Sequence, residues 1–250
     1  MKKTILILLF SMLGLSSCTE LKRAKVFLPH SWVEMKKVSS RLYVEKSMSK
    51  ENQKKIQNTI PEAKKYVVDI YGNVTTEPII YACQTKECAN SLGLVGKEIG
   101  VRLLGHIILT NRAFDKILGR GLISHEWSHE ELYGRIGGFW HWYKEVPMWF
   151  DEGLATLTMQ KISRYDKRAW KRIMDEKIPY PKHDELVSWS QWNKACQTYL
   201  IDESIVVPYA ASRKIVSSWY EKVGQKGLVK LLDGIKNGKK FEKLFKEEKL

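Results

Sequence analysis

The 250-residue sequence predicts an α+β fold, a small mixed β-sheet lobe followed by a helical lobe, on three observations. Short runs rich in Ile, Val and Tyr cluster before residue 111 and are bounded by turn residues, as strands are. Leu118, Leu122, His125, His129, Leu132 and Ile136 then recur at steps of three and four, which marks a long helix with one core-facing stripe. Beyond Pro147 the readable segments are helical.

The chain opens with Lys2 and Lys3 before an apolar run, Ile5 to Leu15, that is too short to span a bilayer. Residues 1–17 read as a signal peptide. The run ends in Leu15-Ser16-Ser17-Cys18, which resembles the bacterial lipobox. That resemblance implies cleavage before Cys18, a diacylglycerol on its sulfur, and a lipid-anchored place in the bacterial cell envelope. The alternative is an ordinary cleaved signal with Cys18 left as a free thiol. Thr19 is not an Asp-type retention signal, which favours the outer membrane where one exists. Residues 18–36 then read as a tether and 37–250 as one domain.

Within the domain, Arg41–Glu45 reads as the first strand. Ser49 is a good cap for a helix whose stripe is Ile56, Ile60, Ala63, Val67 and Ile70, ending at Gly72-Asn73. Pro61 lies inside it and predicts a kink or two helices in series. Residues 78–83, 99–103 and 105–110 read as further strands, with a short helix near 86–92. Gly137 and Gly138 end the long helix. A helix opens at Val207-Pro208-Tyr209 and ends near Gly224. Residues 183–201 give no clear pattern.

The formal net charge of +14 favours anionic surfaces, cell-wall polymers or acidic substrates. No nucleic-acid motif is present, and an export signal argues against nucleic acid. Cys83 and Cys88 fit either a small structural disulfide or two buried thiols, with Cys196 unpaired.

The chemistry concentrates in His125-Glu126-Trp127-Ser128-His129. Histidines four apart share one helix face, so both imidazoles can reach one Zn²⁺ per chain, with Glu126 beside it as general base. Zinc needs a third protein ligand. A metzincin-type ligand six residues after His129 is excluded, because that position is Arg135. Pro147 suits a helix start, and Trp149, Glu152, Leu157 and Met159 fit a second core helix carrying an inward carboxylate. A buried Glu needs a partner, and zinc is one.

These residues resemble the gluzincin metallopeptidases, and most closely small bacterial gluzincin domains. Pro147, Trp149, Glu152, Gly153, Leu154 and Ala155 match the helix that bears their third ligand. The resemblance implies a zincin-like fold with a cleft between the two lobes. It implies metal ligands His125, His129 and Glu152, with Glu152 favoured over its neighbour Asp151. It implies peptide or protein substrates lying along an edge strand at 105–110, and Tyr209 as a donor to the developing oxyanion. Tyr209 also fits an ordinary buried tyrosine. The Gly-x-Met-Glu-Asn segment of the aminopeptidases is missing, which favours endopeptidase activity. His141, between Trp140 and Trp142, fits either substrate contact or packing. Rival readings are a non-catalytic, zinc-stabilised envelope-binding lipoprotein and a metal-free basic adhesion protein.

Overall fold

The computed structural model describes residues 22–28, 32–94, 99–160, 165–201 and 205–247. Residues 1–17, expected to be a signal peptide, and Cys18 lie outside them. Among the described residues no helix is long and apolar enough to cross a membrane.

The fold is mixed α+β. The order is β1 (Met35–Ser39), β2 (Leu42–Glu45), α1 (Lys50–Tyr71), β3 (Ile79–Ala82), α2 (Lys86–Ser91), β4 (Gly100–Leu103), β5 (His106–Leu109) and α3 (Lys116–Ile136). Then come α4 (Phe139–Glu145), α5 (Met148–Thr158), α6 (Lys167–Asp175), α7 (Trp189–Thr198), the short pair β6 (Leu200–Ile201) and β7 (Ile205–Val206), α8 (Val207–Lys236) and α9 (Phe241–Glu247). The main sheet has the order β1-β2-β3-β5-β4. Its centre, β2-β3-β5, is parallel, and β1 and β4 are antiparallel edges.

Parallel strands are apolar on both faces because both faces are covered. Leu42, Val44, Ile80, Ala82, Ile107 and Leu109 point into the main core with α1, α3 and the C-terminal helices. Tyr43, Tyr81 and Ile108 point the other way, into a second core with Leu92 and Leu94. Val26, Val33 and Met35 belong to that second core, although they fall in the stretch expected to be a tether. They are buried because the outer sheet face needs an apolar cover, and Tyr81 Oη donates to the Val26 carbonyl at 3.2 Å. β1 therefore begins at Met35, inside the expected tether.

α1 is one helix of 22 residues, not two in series. Pro61 falls on its exposed side, so the buried stripe of Ile56, Ala63 and Val67 runs past it unbroken.

The expected edge strand needs correction. β5, which fills 106–109, is paired on both sides, to β3 and to β4. The Leu104-Gly105 turn joins it to β4 on its outer side, so among the described residues the edge on this side of the sheet is β4, which is also the strand that lies along α3.

Candidate metal centre

α3 carries the two histidines. Asp115 caps its start, accepting from the Ile117 and Leu118 amides at 2.9 and 2.7 Å. Gly137, at φ +90°, ends it in a left-handed turn that suits Gly. The long helix is anchored on its far side by Glu131, whose side chain is fully buried. Its carboxylate accepts from the amides and hydroxyls of Thr75 and Thr76 and from Arg135 Nε. That arrangement ties the loop after α1 to the middle of α3.

α5 brings the third residue. Gly153 follows Glu152, and a Cβ on it would stand 2.6 Å from the Ser212 carbonyl oxygen and 2.6 Å from Val216 Cγ2. Only a glycine lets α5 lie this close to α8, and that contact helps set how far Glu152 turns toward α3.

The donor atoms of His125, His129 and Glu152 all lie within 4.8 Å of one another. His125 Nε2 is 3.3 Å from His129 Nε2 and 3.4 Å from Glu152 Oε2, and His129 Nε2 is 3.8 Å from that oxygen. A tetrahedral cation bound at about 2.0–2.1 Å sets its ligand atoms roughly 3.3 Å apart, so the spacing fits one. Glu152 Oε2 and His125 Nδ1 are buried with no hydrogen-bond partner among the described residues. A buried, unpartnered carboxylate oxygen is costly, and a cation beside it would remove that cost.

Asp151 has a different role from its neighbour. Its Oδ1 accepts from His129 Nδ1–H at 2.6 Å, and its Oδ2 from Trp142 Nε1–H at 2.7 Å. A proton held on Nδ1 leaves Nε2 with its lone pair toward Glu152 and His125. Burial opposes ionisation of Asp151, but His129, Arg102 and the Trp142 N–H overcome it and hold the carboxyl below its ordinary range. Burial likewise favours a neutral His129, but Asp151, Glu152 and Glu126 outweigh it, pushing the imidazole up to about 9. Carboxylates that favour an extra proton this strongly also favour a metal cation.

Glu126 is partly exposed and turns toward β4: a Cβ on Gly100 would be 3.4 Å from its Oε1. Arg102, farther along β4, pairs with Glu130 at 3.1 Å and stacks over Tyr133 at 3.7 Å, which pins the free edge to α3. Tyr209, at the start of α8, faces His125 with ring centroids 6.2 Å apart. Its ring packs on Tyr165 and Trp192, and burial with Glu152 nearby keeps its hydroxyl well above the usual range.

The structure thus gathers His125, His129, Glu152, Glu126 and Tyr209. It does not bring His141 to the group: Nδ1 of that ring packs on the turn at Gly137, where a Cβ would be 3.2 Å away. Cys83 and Cys88 form a disulfide, and Cys196 is free. Asp151 and Trp142 were not identified as functional from sequence. The adjacency of Asp151 to Glu152 was the one available signal.

No protein-family model matches the chain, and no curated protein matches it.

Proposed function

We propose that the chain is a zinc-dependent peptidase of the gluzincin type, acting as an endopeptidase on exported or envelope substrates. The observation that carries the reading is the convergence of His125, His129 and an otherwise unpartnered Glu152 Oε2, with His129 oriented from behind by Asp151.

A zinc ion at this group would supply Lewis acidity, polarising a scissile carbonyl and acidifying a water. Glu126, one residue after the first ligand and open to the β4 side, takes the proton from water and delivers it to the leaving amine. Tyr209, whose burial keeps its proton in place, donates to the oxyanion. The free edge of β4 binds the substrate backbone by strand addition, which places a peptide past Glu126. In this reading the fold is zincin-like, with the cleft between the β4 edge and the helical lobe. Lipidation of Cys18 holds the enzyme at the membrane.

The test is a Glu126→Gln variant assayed on an unstructured protein substrate beside wild type. The expected result is retained zinc and a fall in hydrolysis of about 10²-fold or more. Equal zinc with equal or absent turnover in both proteins would favour the non-catalytic envelope-binding reading.

A further inference from the structure

The β4–β5 turn places Leu104 at φ +41° and Gly105 at φ +83°. A two-residue turn with both φ positive favours Asn or Asp before Gly, because a bulky side chain strains the backbone there. Here that position is a leucine, and it is 56% exposed. The residue is therefore disfavoured by its backbone and by water alike, in a turn where Asn would satisfy both.

Other exposed apolar side chains share this end of the molecule. His106 Nδ1 lies 3.1 Å from the Leu104 carbonyl oxygen, and Phe27 packs edge-on against the His106 ring at 5.0 Å. Phe27 and Leu28 are themselves exposed. β4 runs along α3, with Gly100 at the level of Glu126 and Arg102 at that of Glu130 and Tyr133, so its final turn reaches the C-terminal end of α3. α4 starts there. Tyr133, Trp142 and Phe139 follow one another at 5.2 and 5.8 Å, and beyond them Trp140 and Tyr143 are each 69% exposed.

We propose that this end, formed by Phe27, Leu28, Leu104, Phe139, Trp140 and Tyr143, docks on the headgroup layer of an anionic bilayer. Trp and Tyr prefer that layer, with an apolar ring on one side and a polar tip on the other. Lys22 and Lys25 bring basic side chains near Phe27, Arg23 being tied through Nε to the Gly93 carbonyl at 3.1 Å, and the net charge, +14 for the whole chain and +12 without Lys2 and Lys3, suits anionic lipid. Residues 19–21 alone separate Cys18 from Lys22, and the four steps from one to the other span at most about 14 Å, so an anchor at Cys18 would hold the folded body against the bilayer. The docking itself needs no lipid on Cys18, because it uses only folded surface.

The test uses the chain from Thr19 onward, which lacks Cys18 yet keeps every residue of the main and second cores and of the small cluster of Ala169, Ile173, Ile201, Val207 and Ala210. Flotation is measured with vesicles of phosphatidylcholine alone and of phosphatidylcholine mixed with phosphatidylglycerol. Binding is expected to the anionic vesicles. Leu104→Asn and Trp140→Ala should each weaken it by about tenfold, the change that one large apolar side chain leaving the layer would give. Trp189→Ala, an exposed tryptophan on α7, should leave it unchanged. Leu104→Asn should not lower Tm, because Asn suits the turn, which separates lost docking from lost folding. Wild type that ignores both vesicles, or variants that bind as wild type does, would overturn the proposal. A wild-type dimer dissolved by the same substitutions, with no vesicle binding, would make this face a contact between copies. Because Cys18 is absent from the test, absence of lipidation in cells would overturn the anchor alone.

Discussion

His129 Nδ1 and Asp151 Oδ1 lie 2.6 Å apart, across 22 residues of sequence, both buried. The contact fixes which imidazole nitrogen carries the proton and therefore which one can bind metal. Asp151→Asn keeps an acceptor of the same shape but removes the charge. Zinc affinity should fall by about 10–100-fold with the fold intact. A competition titration against a chelating dye reads this, and unchanged affinity would show that the contact is packing only.

Glu131 gives a second prediction, on stability. Its buried carboxylate gathers donors from Thr75, Thr76 and Arg135. Glu131→Ala leaves these donors without their acceptor, while Arg135 keeps Asn73 through its Nη2, so the cost should be about 1–3 kcal/mol. Urea unfolding measures it. A loss under 1 kcal/mol, the range of exposed ion pairs, would mean that water replaces the carboxylate easily.

Gly153→Ala separates two effects of opposite sign. In an open helix the added methyl stabilises by roughly 0.5–1 kcal/mol. Here it would meet the Ser212 carbonyl at 2.6 Å, and overpacking of that kind costs about 1–3 kcal/mol. The variant should be less stable and should bind zinc more weakly, because Glu152 must move with α5. A rise in Tm with normal zinc binding would contradict the close-approach account.

A pH dependence follows from Glu45, at the end of β2. Its carboxylate accepts from the Ser47 hydroxyl, the Gln84 and Thr85 amides and the Thr85 hydroxyl at 2.7–2.9 Å. Burial opposes ionisation, but these bonds outweigh it and lower the carboxyl below its ordinary value. A group with a lowered folded pKa stabilises the fold above its unfolded pKa and loses that contribution as pH falls through the folded one. The urea midpoint of Glu45→Gln should therefore lie below wild type at pH 7, and the gap should close as pH drops through the carboxylate range. A gap that stays constant in acid would mean that the charge is not what matters.

Much of this was legible in the sequence because local pattern governs it. The strands at 42–45, 79–82, 100–103 and 106–109 lie within the expected segments. The helix ending at Gly137 covers the expected stripe from Leu118 to Ile136, though its start at Asp115 was not marked, and α8 breaks at the expected Gly224, where φ is +62°, before running on to Lys236. The two histidines could be named because they sit on one helix turn; Glu152 was named from the resemblance of residues 147–155 to the third-ligand helix of the gluzincins, since the readable helix start alone did not separate it from Asp151. Strand order was not legible, since nothing local says that the 104–105 turn folds β4 outside β5. The burial of Val26 and Val33 was missed because it depends on an uncovered sheet face far along the chain. The Asp151–His129 pair was missed because it rests on the angle at which two helices cross, and no spacing within either helix encodes that.

The measurement closest to the central claim is the zinc content of the chain from Thr19, wild type beside Glu152→Ala, after equilibration with zinc and removal of loosely held ion. One zinc per wild-type chain and a clear loss in the variant are expected, with both proteins folded by circular dichroism. Folded wild-type protein that takes up no zinc would contradict the claim, and so would a Glu152→Ala variant that holds zinc as tightly as wild type.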